Sequence, residues 1–299
     1  MLFFFGLRKR TEINKSLIKY LISLLLFGLN GIVASNISLD SYEIVLTRTF
    51  FGSALLILIL AFSKEKTELF KNKKDLIYIV ISGMAMGASW MFLYEAFSQV
   101  GVSIAVVLYY AGPAFVMILS PFLFKEKFTL TTVLGFISVV FGVALINRTV
   151  VINGSFFGIF CAMMSAVTYC VMVCANKKSS IKGVKNSAVQ LVVSFVFVLD
   201  FVTVKTGMNI HIAKCDWKWI LLLGLVNTGL GCYFYFSTIG DLSIQTVAVC
   251  SYIEPLSAVI FSAVFLKERL SVFQILGSIL IVRGAIFAEL FKIKKSRNR

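Results

Sequence analysis

Histidine occurs once in this chain, at His211, and proline three times, at Pro113, Pro121 and Pro255. Acidic residues number 14 against 29 basic ones, and charged residues of either sign fill only 14% of 299 positions. Each shortage excludes something. A single histidine leaves no HExxH pair for a zinc hydrolase. The cysteines Cys161, Cys170, Cys174, Cys215, Cys232 and Cys250 form no CxxC pair and no cluster with His211, so a bound metal is not expected. Only Cys215 lies outside an apolar run. Cys170 and Cys174 share a helix face and read as small packing residues. No GxxxxGK[ST] stretch exists to hold nucleotide phosphates, and no cofactor is expected. A soluble domain carries about 25% charged residues, far above the share here.

What fills the space is hydrocarbon. Apolar residues make up 59% of the chain and the mean hydropathy is +0.93. Apolar runs of about 20 residues, the length that crosses a bilayer core, recur from end to end. They lack the alternation of barrel strands and are too long for them, so they are helices, the other way to satisfy backbone polar groups in lipid. Ten spans are read, at 17–37, 42–62, 75–97, 101–124, 129–147, 155–176, 186–204, 218–239, 243–266 and 271–291. The start, MLFFFGLRKR, has its charges after too few apolar residues for a signal peptide, so span 1 is expected to stay uncleaved. The net charge of +15 is laid out by side. Residues 1–16, the run KEKTELFKNKK at 64–74, Lys125, Lys127, Lys177, Lys178, Lys182, Lys185 and the tail at 292–299 crowd one face. That asymmetry places both termini in the cytoplasm and assigns the charge to orientation, with no nucleic-acid partner.

The chain repeats itself. YYAGPAFVMILSPFLFKEKFTLTTVLGFISVVFGVAL at 109–145 lies over SYIEPLSAVIFSAVFLKERLSVFQILGSILIVRGAIF at 251–287 with a constant offset of 142 residues. Pro113 falls on Pro255, Lys125-Glu126 on Lys267-Glu268, Gly135 on Gly277 and Gly142 on Gly284. The expected architecture is all-α: two five-helix repeats, 17–147 and 155–291. An odd helix number inserts the second repeat with inverted topology, an arrangement of many secondary transporters. All three prolines lie in spans 4 and 9, where each frees the carbonyl four residues earlier. In lipid such a carbonyl needs a partner or a wet cavity, so Pro113 and Pro255 are placed at a cavity wall. Gly135, Gly142, Gly277 and Gly284, with Gly83/Gly87 and Gly154/Gly158, read as close-packing faces, a homodimer face among the options.

Ionisable and polar groups at membrane depth are costly and face the interior. At 1.5 Å per residue, Glu254 stands roughly 16 Å and Arg283 roughly 18 Å from their span ends. Both are near the midplane and are expected to pair or to meet a ligand. Asn30 and Asn227 fall at similar depth. Arg48 and Glu95 lie nearer the outer face and are expected to form a gate or an ion pair. Trp90, Tyr94, Tyr109, Tyr110 and Tyr252, with Tyr233 and Tyr235 on span 8, supply the aromatic lining that suits a small organic molecule.

The duplicated unit, PFLFKEKFTLTTVLGFISVVFGVAL, and above all YIEP followed by FLKERL, resemble the EamA-type branch of the drug/metabolite transporter superfamily, as do Arg48 and YEAF at 94–97. The resemblance implies a ten-helix bundle in a bacterial-type inner membrane, with a central cavity from spans 1, 3, 4, 6, 8 and 9. It also implies movement of amino acids and other small metabolites, commonly outward. One departure stands out: Gly112 occupies the position matching Glu254. The expected function is a secondary transporter of small organic metabolites, such as amino acids or aromatic compounds. A flippase for lipid-linked carriers is the alternative. An intramembrane enzyme has no nucleophile–base pair to stand on, and neither a filter loop for a channel nor a soluble receptor domain is in the sequence.

Overall fold

The computed structural model describes residues 2–63, 73–100, 102–146, 155–207, 210–265 and 271–297. The chain runs as α1 (Leu2–Gly28), α2 (Asn30–Ala34), α3 (Ser41–Phe62), α4 (Lys73–Val100), α5 (Val102–Tyr109), α6 (Ala111–Phe124) and α7 (Leu130–Ile146). It continues as α8 (Phe156–Lys178), α9 (Gly183–Thr206) and α10 (Trp217–Leu221), a π-helical segment at Leu222–Leu230, then α11 (Gly231–Ile239), α12 (Ile244–Cys250), α13 (Ile253–Phe265) and α14 (Val272–Arg297). No strand occurs among the described residues. Eight helical stretches are long and apolar enough to cross a membrane, and two shorter apolar helices, Leu130–Ile146 and Val272–Ala288, accompany them. Large apolar side chains such as Phe62, Phe122 and Val204 stand more than three-quarters exposed on the outside. Such a surface suits lipid and would be an aggregation hazard in water.

Four spans are interrupted, and the interruptions surround the middle of the bundle. Span 4 breaks at Tyr110, between α5 and α6, and span 9 breaks at Ser251–Tyr252, between α12 and α13. Pro113 and Pro255 each sit third in the helix that follows, where a backbone N–H has no partner within the helix to lose. The Ser251 carbonyl, expected to be freed by Pro255, accepts the Glu254 N–H instead (3.1 Å). Spans 1 and 8 break without proline, at Leu29 and through the π-helical segment.

Close backbone approach sets the packing. A Cβ on Gly135 would lie 2.6 Å from the Gly284 carbonyl oxygen, and one on Gly142 2.6 Å from that of Gly277; the reverse distances are 2.6 and 2.5 Å. α7 and α14 therefore cross antiparallel, backbone against backbone, and these four glycines are used inside the chain. Gly83 and Gly87 press in the same way on Gln190, Val193, Ser194 and Phe197 of α9. Gly158 packs on Gln99 and Val100; Gly154 lies outside the described residues. The remaining pairings follow a pattern: α4 packs on α8 and α11 on α1, α6 on α8 and α13 on α1, α3 on α9 and α7 on α14.

Candidate functional site

The interrupted spans enclose a narrow cavity. Its polar wall is Asn30, Arg48, Ser89 and Glu254; its aromatic wall is Phe27, Trp90, Tyr109, Tyr169, Tyr235 and Phe236. Met86, Met172 and Cys232 complete it. Arg48, on α3, is 4% exposed. Its Nε donates to Thr228 Oγ1 at 2.9 Å, and its guanidinium lies 4.6 Å from the centre of the Trp90 ring. The π-helical segment carries Thr228, and such widened turns recur at functional sites. A cation over an indole face is held by the ring quadrupole, so Arg48 stays at the cavity wall with hydrogen-bonding capacity to spare. Glu254, second residue of α13, faces the same space. No hydrogen bond or ion pair joins it to Arg48, although Arg48 acts on it electrostatically.

Neighbouring side chains fix this geometry. Asn227 donates to the Leu26 carbonyl (3.1 Å) at the break in span 1 and to Asn30 Oδ1 (3.2 Å), which aims the Asn30 amide. Below Glu254, Ser251 is a hub: its Oγ pairs with Tyr20 OH (2.9 Å) and Tyr169 OH (3.0 Å), and Tyr169 OH pairs with Tyr235 OH (3.0 Å). Four helical segments are thereby tied to one serine at the break in span 9. Polar bonds close both ends of the bundle. At one end Lys177 Nζ donates to the carbonyls of Ile239 and Gly240 (both 3.0 Å), and Glu126 accepts from the Ile244 and Gln245 N–H groups at 2.9 and 3.2 Å. At the other, Lys205 Nζ meets Glu95 Oε2 and Tyr42 OH, each at 2.7 Å.

The sequence matches the EamA-like transporter family twice, over residues 14–148 and again over 153–290. The chain belongs to this family. A Bacillus subtilis (strain 168) protein named uncharacterized transporter YxxF is 26% identical over 280 residues, covering 91% of this chain and 88% of its own. A second from that organism, uncharacterized transporter YoaV, is 25% identical over 84% of this chain and 87% of its own. A solved crystal structure superimposes with a TM-score of 0.80 at 16% identity over 93% of this chain and 99% of the other, a likeness of fold. The EamA-like chain is thus a multi-pass membrane transporter.

Within it, Asn30, Trp90, Tyr109 and Glu254, all singled out in the sequence, line the cavity. Arg48 lines it too, rather than standing at an outer gate with Glu95. Glu95 pairs with Lys205, so the expected Arg48–Glu95 contact is corrected. The expected Glu254–Arg283 pair is also corrected: Arg283 is exposed on the outer face of α14. Asn227 sits behind Asn30. Tyr110 and Tyr252 leave the cavity for a second cluster, where Tyr252 OH donates to the Tyr110 carbonyl (3.0 Å). Pro113 and Pro255 are buried beside the breaks, and Tyr94 stacks on Phe97 with ring centres 5.0 Å apart. Sequence reasoning missed Phe27, Ser89, Tyr169, Phe236 and the Ser251 hub. Tyr169 and Ser251 carried one weak signal, hydroxyls deep in apolar runs.

Proposed function

We propose that this protein is a secondary transporter of small organic metabolites, amino acids or related aromatic compounds, exporting them by alternating access. The carrying observation is that the Arg48 guanidinium and the Glu254 carboxyl group face one aromatic cavity without direct contact. A zwitterion complements that arrangement, with its carboxylate toward Arg48, its ammonium toward Glu254 and its side chain among Trp90, Tyr109 and Tyr235. Placing opposite charges where a ligand's own charges fall sets register and specificity. The cavity offers no comparable match to a lipid-linked phosphate, because its one basic group is buried rather than set at a lateral opening.

The mechanism rests on two inverted five-helix repeats, 17–147 and 155–291, ten spans in all. Three observations support it. The family match falls once on each half. The α7–α14 contact is isologous: Gly135 meets Gly284 and Gly142 meets Gly277, the pattern of a two-fold axis between counterparts. Equivalent helices also pair equivalently, and Tyr110 meets its counterpart Tyr252. An axis relating antiparallel helices lies in the membrane plane, and rocking one half against the other then exposes the cavity to each side in turn. With no GxxxxGK[ST] motif in the sequence, the energy comes from a gradient, from exchange or from the substrate itself.

The test is a thermal-shift screen of purified protein against amino acids, nucleosides, sugars and organic acids, with Glu254→Gln and Arg48→Gln alongside. A ligand at 100 Kd stabilises by about 2.7 kcal/mol. The expected result is a shift with zwitterionic amino acids that both variants lose while remaining folded. Shifts with uncharged sugars alone, or a hit that both variants keep, would reject the reading.

A further inference from the structure

On the zwitterion reading above, on which this rests, we propose that two consecutive residues of the π-helical segment, Asn227 and Thr228, position the donors that receive the substrate's carboxylate. Arg48 is the first of these donors and Asn30 the second. Asn227 and Thr228 are 2% and 0% exposed, and neither lines the cavity, so they act through the side chains they hold. An arginine carries five N–H donors in a rigid fork. Thr228 Oγ1 takes the one on Nε at 2.9 Å, and those on the terminal nitrogens of Arg48 have no hydrogen-bond partner among the described residues. Such a fork matches a carboxylate two bonds at a time. The Thr228 rotamer is fixed in turn. Its Cγ2 lies 3.0 Å from where a Cβ on Gly52 would stand, so the methyl is seated one turn along α3 from Arg48 and the hydroxyl is left to meet Nε.

The Asn30 amide is fixed by elimination. Asn227 sets one amide atom between the Leu26 carbonyl (3.1 Å) and the Asn30 side chain (3.2 Å). A carbonyl only accepts, so that atom is Nδ2 and Asn30 answers it with Oδ1. The Asn30 NH2 group is then left without a partner among the described residues, on a side chain that lines the cavity. In an α-helix successive side chains turn about 100° apart. The wider π turn separates them less, which lets two neighbours serve two donors of one site. Gly224 and Gly229 press this segment on Phe51 and Leu55 of α3, 2.6 and 2.8 Å from where their Cβ atoms would be. That contact holds the segment in register with the helix that carries Arg48.

The test has a ligand-free arm and a ligand arm, both on the full-length chain, with thermal melts to verify folding. With Trp217→Phe and Trp219→Phe in place, Trp90 is the sole indole and reports the guanidinium 4.6 Å from its ring centre. Thr228→Val keeps the methyl and loses the acceptor. It should shift Trp90 emission as Arg48→Gln does, and Thr228→Ser should not. Calorimetry then compares L-phenylalanine with L-phenylalaninamide, which keeps the ring and the ammonium but lacks the carboxylate. Wild type should prefer the acid. A hydrogen bond to a charged group sets the scale, so Thr228→Val should lose about tenfold in affinity for the acid and none for the amide. Asn227→Leu should lose acid preference in the same direction, and Thr228→Ser should retain it. Should Thr228→Val not fold, Thr228→Ala removes the same acceptor. Unaltered Trp90 emission in Thr228→Val, or an acid preference that Thr228→Val and Asn227→Leu both keep, would overturn the positioning role and leave the zwitterion reading in place. A wild type that binds acid and amide equally, or binds neither, would remove that reading and the positioning role together.

Discussion

A single hydroxyl carries more of the cavity floor than any charge does. Ser251 Oγ is shared by Tyr20 and Tyr169 while donating to the Val247 carbonyl at 2.8 Å, all in a buried setting. Removing it takes a partner from each of two phenols, leaving Tyr20 its bond to the Val247 carbonyl (3.1 Å) and Tyr169 its bond to Tyr235 (3.0 Å). A buried hydrogen bond contributes about 0.5–1.5 kcal/mol, so Ser251→Ala, which removes the bonds to Tyr20, Tyr169 and the Val247 carbonyl, should lower the melting midpoint below that of Tyr235→Phe, which removes the bond to Tyr169. Equal midpoints in a thermal melt would mean that the hydroxyls find other partners. Residues of this kind were hardly legible beforehand, because a serine or tyrosine in an apolar helix is usually satisfied by its own backbone. Glu254, Asn30 and Trp90 were legible because a carboxylate, an amide or an indole at depth needs a special setting. The Arg283 pairing failed for a definite reason. Depth along a helix follows from counting residues, whereas facing depends on rotation about the axis, and 100° per residue separates Arg283 from Gly284, which does face α7.

At the scale of elements, the start of α12 is held from another part of the chain. Its first three N–H groups are taken by Glu126 Oε1, Glu126 Oε2 and Ser243 Oγ, at 2.9, 3.2 and 3.1 Å. Carboxylates at helix starts also meet the helix dipole favourably. Losing such a cap costs about 0.5–2 kcal/mol, so Glu126→Ala should lower the midpoint while Ser243→Ala lowers it less. Identical melts for both variants would leave Glu126 without a capping role. The α7–α14 crossing gives a sharper case. A methyl at Gly142 or Gly277 must displace a backbone carbonyl about which nothing is flexible, and overpacking of this sort costs about 1–3 kcal/mol. Gly142→Ala and Gly277→Ala should therefore destabilise to a similar extent, as equivalent positions of one isologous contact. A large effect from one and none from the other, read by thermal melt, would remove the two-fold description of that contact. The breaks in spans 4 and 9 could be read from Pro113 and Pro255. Those in spans 1 and 8 could not, because their cause is tertiary: Asn227 takes the Leu26 carbonyl, and Gly231 packs against the Phe27 ring, 2.7 Å from where its Cβ would be.

For the whole molecule, the open question of orientation can be answered by the native chain. Five of the six cysteines are buried and Cys215 alone is exposed. It lies beside Asp216, whose carboxylate accepts the Ser38 N–H at 3.0 Å, at the end of the bundle opposite Lys177 and Glu126. The Lys177 end also holds Ser16, bonded to Asp241, and so the N-terminal side of α1. Basic segments are retained in the cytoplasm during insertion, so the expected arrangement has the Lys177 end inside and Cys215 outside. A membrane-impermeant maleimide applied to intact cells should then label the protein once, and Cys215→Ser should abolish the label. Buried thiols stay silent because reaction needs an accessible thiolate. Labelling only after permeabilisation would invert the molecule. The chemistry of the cavity would stand, but Lys205 and Glu95 would then guard the cytoplasmic entrance and Lys177 the exit. Export would then begin from the end that the charge distribution assigns to the outside, and the direction of transport would have to be rederived from the gate residues.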